Sequence, residues 1–181
     1  MKKIEISPAD YAGNIIREIP KGVLLNSKAG GKVNSMVIGW GTFGTEWGVP
    51  IFAAYVRLGR CTRTLLDENP EFTVSIPLGE MKADRKKVME ILGGTSGRDC
   101  DKIAACGLTL CEPEVISVPG ICEFPLTLEC RVVHRQVQEL ENIDGKFMRS
   151  YPQDVPGDFP MANRDPHVQY YGEIVKAYII R

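Results

Sequence analysis

The stretch Gly39-Trp40-Gly41-Thr42-Phe43-Gly44-Thr45-Glu46-Trp47-Gly48-Val49-Pro50 decides between two kinds of fold. Its first six residues match the G-x-G-x-x-G fingerprint letter for letter, and they follow an apolar, strand-like run. A dinucleotide-binding βαβ unit needs a helix to open at the third glycine, so that the pyrophosphate meets the helix N-terminus. The residues after Gly44 close on Gly48-Val49-Pro50, which no helix continues through. Residues 39–50 therefore read as a glycine-rich loop between strands, and the parallel α/β fold is set aside.

Working outward, strands dominate. Val23-Leu24-Leu25, a turn at Lys28-Ala29-Gly30-Gly31 and the apolar run 33–40 form a hairpin. A strand over 51–56 follows the loop, then a helix over about 62–69 that Pro70 ends, then a strand over 72–76 closed by Pro77. Leu126, Leu128, Cys130 and Val132 alternate with Thr127, Glu129 and Arg131, the period of a half-buried strand. A last strand runs from about 168 to 180. Helices are expected over 8–19, stopped by Pro20-Lys21-Gly22, and over 83–92, stopped by Gly93-Gly94. Residues 144–165, rich in Pro, Gly and Asp, read as an irregular excursion. Many short strands with a few short helices predict a mainly β barrel, closed or nearly so, and 181 residues predict a single domain.

Composition excludes several classes. The formal net charge is −1, which advertises neither nucleic acid nor an anionic membrane as partner. No stretch approaches the ~18 apolar residues that span a bilayer, and no signal-peptide run follows the start at Met1. The six cysteines include no C-x-x-C pair, so they read as reduced thiols of a cytoplasmic protein, mostly small core residues, with no metal site. Gly31-Lys32 lacks the first glycine and the Ser/Thr of a phosphate-cradling P-loop. With His134 and His167 as the only histidines and no G-x-S-x-G turn, no nucleophilic triad is written here.

Two features carry chemistry. Arg57-Leu58-Gly59-Arg60-Cys61-Thr62-Arg63 joins a strand to a helix start, with Thr62 as a plausible N-cap. Helix N-termini favour acidic neighbours, so Arg60 and Arg63 there are unfavourable until an external anion reverses the sign. Two readings stand: a phosphate site, or arginines that point to solvent or pair with Glu68 or Glu71. The second feature is Asn34-Ser35-Met36-Val37, where polar residues interrupt an apolar strand and need partners if buried.

In order along the chain, Gly31-Lys32-Val33-Asn34-Ser35-Met36-Val37-Ile38-Gly39-Trp40, residues 57–66 and Asn69-Pro70-Glu71-Phe72-Thr73-Val74 are followed by three further stretches. These are Thr95-Ser96-Gly97-Arg98-Asp99-Cys100-Asp101-Lys102, Cys122-Glu123-Phe124-Pro125-Leu126, and the segment from His167 to Gly172-Glu173-Ile174. The series resembles the flavin reductase-like, FMN-binding split-barrel family, especially its flavoredoxin-type members. The resemblance covers nearly the whole chain; the 41–49 loop and the excursion before His167 depart from it.

The resemblance implies a Greek-key split β-barrel of about six strands that holds FMN non-covalently. It also implies roles residue by residue. Asn34, Ser35 and Met36 would face the isoalloxazine, with Val37 in the same wall. Arg57, Arg60 and Thr62 would hold the phosphate, and Ser96, Gly97 and Lys102 would complete the site or contribute across a homodimer interface. His167 is the catalytic candidate, assisting nicotinamide binding or proton transfer, although from the residues alone it reads equally as a surface histidine; His134 reads as a structural or semi-exposed residue. The implied activity is that of an oxidoreductase passing hydride from NADH or NADPH to flavin and electrons on to a small-molecule or protein acceptor. The alternatives are a flavoredoxin-like electron carrier with little NAD(P)H turnover, a barrel adapted to heme or a pyridoxal-type phosphate, and a barrel that serves only as an interaction protein.

Overall fold

The structure, a computed structural model, describes residues 1–79, 84–151 and 165–181. Its centre is an eight-stranded antiparallel sheet. The strands in chain order are β1 (Lys3–Glu5), β2 (Val23–Ala29), β3 (Lys32–Ile38), β4 (Gly41–Glu46), β5 (Val49–Arg57), β6 (Glu71–Ile76), the short β7 (Leu110–Cys111) and β8 (Gly120–Ile121), β9 (Leu126–Val137) and β10 (His167–Ile180). The order across the sheet is β3-β2-β6-β9-β10-β5-β4, with β1 added to β10; β7 and β8 pair with each other. The sheet curls until β3 approaches β5, and the gap beside them is the mouth of the barrel. This agrees with the mainly β expectation.

The barrel interior packs Phe52, Phe72, Val74, Leu126, Leu128 and Tyr170. A second cluster sits outside it, where α3 (Arg85–Gly94) and α4 (Lys102–Ala105) lay Val88, Leu92 and Ile103 against Leu24 and Phe124. That cluster fixes the 95–101 loop against β3, which is why the loop can take part in a site. Glu129 is fully buried in β9 and accepts backbone N–H groups from Glu114, Val115 and Ile116 at 2.7–3.1 Å, tying down the crossover that leads to β8.

Several expectations change. Residues 39–50 form β4 and the start of β5, joined at Trp47-Gly48, where both φ angles are positive (52° and 77°), as a two-residue hairpin turn of the I′ kind demands. Of the glycines that suggested a loop, Gly48 serves this turn and Gly41 makes room for packing: a Cβ on Gly41 would lie 2.9 Å from Phe52 Cζ. The first helix is shorter than its pattern, with a 3-10 turn over Pro8–Tyr11, α1 over Ala12–Glu18 and a second 3-10 turn over Ile19–Lys21. Helix α2 (Cys61–Glu68) has Arg60 at its N-cap position, so Thr62 lies within the first turn and caps nothing. Strand β9 continues to Val137, beyond the alternating stretch, because β10 pairs with it throughout. The first residue of the expected 83–92 helix and most of the 144–165 excursion lie outside the described residues; Gly145–Ser150 is a 3-10 turn. All six cysteines are unpaired thiols, yet only Cys111 and Cys130 are core residues.

Among the described residues no helix is long and apolar enough to cross a membrane, and no group of His, Cys, Asp and Glu could hold a metal ion.

Gly172 lies where β10 shifts register against β9, and a Cβ there would fall 2.4 Å from Phe72 Cζ and 2.8 Å from Cys130 Cβ. Neither neighbour can withdraw, since both are in the packed interior. Gly172→Ala is expected to lower unfolding free energy by about 1–3 kcal/mol through overpacking, read from the midpoint of a urea melt.

Candidate functional site

Strand β3 ends one side of the sheet, so its outer edge is a row of backbone groups open to a ligand rather than to another strand. Two cavities meet along it. The first, of about 330 Å³, lies between Asn34, Arg60, Thr62, Ser96, Gly97 and Lys102. The second, of about 260 Å³, lies between Met36, Ile38, Trp40, Tyr55, Arg57 and His167. Met36, Val37 and Arg60 line both, so the two make one elongated cleft with a polar end and an aromatic end.

At the polar end Asn34 is the junction. Its Nδ2 donates to Thr62 Oγ1 at 2.8 Å, linking β3 to the first turn of α2. The 95–101 loop crosses so closely that a Cβ on Gly97 would lie 2.0 Å from Asn34 Oδ1. Lys102 is 4 % exposed, with its Nζ donating to the Leu92 carbonyl at 3.1 Å. Neither Lys102 nor Arg60 enters an ion pair among the described residues. Burial, and then the charge of Arg60, push the Lys102 pKa below its usual value. A buried cation without a counter-charge is costly. The first turn of α2 adds unpaired N–H groups at the same place. The cavity is built for an anion. Arg63, by contrast, is spent on Asp67 at 3.0 Å within α2, and Arg98 donates to the Gly59 carbonyl at the rim.

At the aromatic end the register of β10 on β5 places His167 opposite Arg57. His167 is 6 % exposed, so the surface reading is overturned. Its ring lies 4.8 Å from Trp40 and 5.7 Å from Tyr151, and its Nδ1 has no hydrogen-bond partner among the described residues. Burial first, then Arg57 and Arg60, hold its pKa down to about 4. The imidazole is thus neutral near pH 7 and offers a hydrogen bond without a surplus proton. Arg57 donates to the carbonyls of Asp165 and Ser150 at 2.9 and 3.3 Å, and its guanidinium lies 5.9 Å from the Trp40 ring.

The family model for the flavin reductase-like domain matches residues 16–181. The chain belongs to the flavin reductase-like family. An uncharacterised protein of Archaeoglobus fulgidus is 36% identical over 94 residues, 49% of this chain and 51% of the relative, so the chain spans about half the length of that curated relative. Among solved structures, an FMN-binding domain of flavin reductases-like enzyme from Shewanella baltica superimposes with a TM-score of 0.67 at 14% identity, over 98% of this chain and 77% of the other. The flavoredoxin of Methanosarcina acetivorans superimposes at 0.62 with 26% identity, over 87% of this chain and 67% of the other. The flavoredoxin of Desulfovibrio vulgaris gives 0.63 at 23% identity, over 87% and 68%. The split-barrel, flavoredoxin-type resemblance is thereby confirmed at the level of fold and family.

In this flavin reductase-like chain the residues singled out from sequence divide between the two ends. Asn34, Arg60, Thr62, Ser96, Gly97 and Lys102 gather at the polar end. Met36 and Val37 span both, while Arg57 and His167 stand at the aromatic end, away from Thr62. Ser35 is fully buried, its Oγ has no partner among the described residues, and it lines a neighbouring cavity of about 410 Å³ with Lys32, Arg98 and Asp101. His134 is exposed, 5.3 Å from the Tyr171 ring, and takes no part. Sequence reasoning missed Trp40, Tyr55 and Tyr151 as walls of the cleft. Trp40 stood in the quoted motif without a role, and its signal was a tryptophan at a strand end between glycines, a large ring with no strand face to hide in.

Two outcomes follow from this geometry. Gly97→Ala is expected to cost about 1–3 kcal/mol by forcing Asn34 aside, whereas Ser96→Ala, which gives up only the hydrogen bond its Oγ accepts from the Arg98 N–H, costs about 0.5–1 kcal/mol, both read from chemical denaturation. For His167, proton NMR is expected to give a pKa of about 4. Its depressed folded value means the unfolded chain takes up the proton first as pH falls. Its contribution to stability is complete above the ordinary histidine value of ~6.5 and is lost as pH falls through the window down to about 4. His167→Gln should flatten the pH dependence of stability in that window.

Proposed function

We propose that the protein is an FMN-dependent oxidoreductase that accepts reducing equivalents from NADH or NADPH and passes them to a small acceptor. The observation that carries the FMN reading is the pairing of an anion-seeking, buried lysine with an adjoining aromatic cleft along a free strand edge. A mononucleotide flavin has that polarity, with a dianionic phosphate at one end and a planar ring with a polar edge at the other. The donor set at the polar end suits a phosphate: Lys102, Arg60, the Thr62 hydroxyl and the α2 N–H groups. Met36 and Val37 offer an apolar wall, and the backbone edge of β3 offers donors and acceptors to the ring's heteroatoms.

FMN, when bound, supplies the two-electron redox chemistry. The chain's own residues bind, orient and exclude water. Lys102 and Arg60 neutralise the phosphate, and the Asn34–Thr62 hydrogen bond keeps the threonine hydroxyl turned to it. Trp40, Tyr151 and Arg57 pack around His167 and hold the imidazole neutral, so that it can accept or donate one hydrogen bond at the mouth of the cleft. Among the described residues no dinucleotide-binding βαβ unit forms, and the nicotinamide would stack directly in the open cleft. Unpaired thiols agree with a reducing, cytoplasmic setting. The exposed Val133 and Val137 on the outer part of β9 suit a homodimer contact.

Titration of the purified chain with FMN is expected to give tight binding, with the bound flavin bleached anaerobically by NADH or NADPH. Lys102→Met should weaken FMN about 10–100-fold, the worth of one charged hydrogen bond, while leaving the affinity for riboflavin, which has no phosphate, unchanged. Equal losses for both ligands would place the phosphate elsewhere. FMN that binds tightly but is not reduced by either nucleotide would favour the flavoredoxin-like electron carrier.

A further inference from the structure

Against Trp40 lies a fourth depression that none of the roles above uses. It has a volume of about 560 Å³, within the range of small-molecule sites. Helix α1 and the 3-10 turn after it supply Ile16, Ile19 and Pro20; β4 and β5 supply Phe43, Thr42 and Tyr55; Trp40 forms the wall shared with the cleft. Among the described residues no carboxylate, lysine or arginine lines it. Its two side-chain hydroxyls, on Thr42 and Tyr55, are 3.0 Å apart and share one hydrogen bond, which leaves the proton of the accepting hydroxyl free for a ligand carbonyl. Ile16 is 56 % exposed and Trp40 41 %, two large apolar side chains left open on one concave surface.

We propose that this groove binds an uncharged aromatic electron acceptor of the quinone type; the inference rests on the flavin reading above and names its acceptor. Three observations on one surface support it. Aromatic walls at Trp40, Phe43 and Tyr55 favour a planar, apolar ring. The absence of charged lining residues contrasts with the cationic end of the cleft and disfavours an anionic acceptor. Continuity through Gly39, Trp40 and Tyr55 sets the groove directly against the cavity that would hold the flavin ring. In the overall reaction the quinone gains two electrons and two protons and becomes a hydroquinone. NAD(P)H is oxidised to NAD(P)⁺ and supplies the electron pair and one proton as a hydride equivalent, and solvent supplies the second proton.

The test uses the full chain in a Trp47→Phe background, which leaves Trp40 as the sole tryptophan. Menadione added to the flavin-free protein is expected to quench Trp40 emission saturably, and Ile16→Glu, which sets a carboxylate in the groove, should weaken that binding about 10-fold or more. In the FMN-loaded protein the same substitution should lower the ratio of kcat/KM for menadione to that for ferricyanide by a similar factor. Val115→Glu, exposed in the crossover before β8 and outside the groove lining, should leave both readings as they are. Quenching that is absent or insensitive to Ile16→Glu overturns the proposal, as does a solution dimer in which Trp40 is shielded because a second copy covers the groove. Failure to bind FMN or oxidise NAD(P)H refutes the flavin reading instead, and the quenching experiment on the flavin-free protein separates the two.

Discussion

Both edges of β10 are hydrogen-bonded, to β9 over most of its length and to β5 over its first half, and the arrangement of the cleft depends on that double pairing. A strand held on two sides cannot slip by one residue without turning its whole buried face outward. The register therefore fixes His167 opposite Arg57 at the barrel mouth, and it carries the end of β5 into α2 beside β3. The histidine's burial, its neutrality and its tilted ring contact with Trp40 are consequences of where β10 begins.

The polar end of the cleft runs on a different balance. Lys102 is buried because α4 packs on α3 and β3, and its single carbonyl partner does not repay the loss of water around an ammonium group. The fold can carry that cost because the barrel interior and the α3–α4 cluster are both closely packed, and an anion arriving in the cavity offsets it. Such a local conflict with general stability rules is common where a protein keeps a binding site ready. The neighbouring aromatic end is walled by Trp40, Tyr55 and the neutral His167, with the Arg57 guanidinium turned to backbone carbonyls, so the two ends differ in a way that orients an elongated ligand.

Legibility varied with the kind of signal. The alternation at residues 126–132 and the proline after Asn69 were plain, because side-chain period and a missing N–H are local facts. The 39–50 stretch misled because glycine density looks the same whether glycines make turns or make room for Phe52. Thr62 looked like a cap because its residue type suits one; the helix in fact opens a residue earlier, and the hydroxyl is occupied by Asn34 from another strand. The short β1, β7, β8 and α4 were invisible, since a few residues show no period.

The sequence by itself determined that this is a mainly β protein of barrel type, that a cationic cluster sits at a helix start, and, through the order of its motifs, the family to which it belongs. Those properties are written in nearest-neighbour patterns and residue types. Only the tertiary structure decided that Lys102 and Asn34, far apart in the chain, share one cavity, that Arg57 faces His167 instead of Thr62, and that Trp40 stands between the cleft and a second groove. Each of these is set by strand register and helix packing across long loops, which no local stretch of the chain encodes alone.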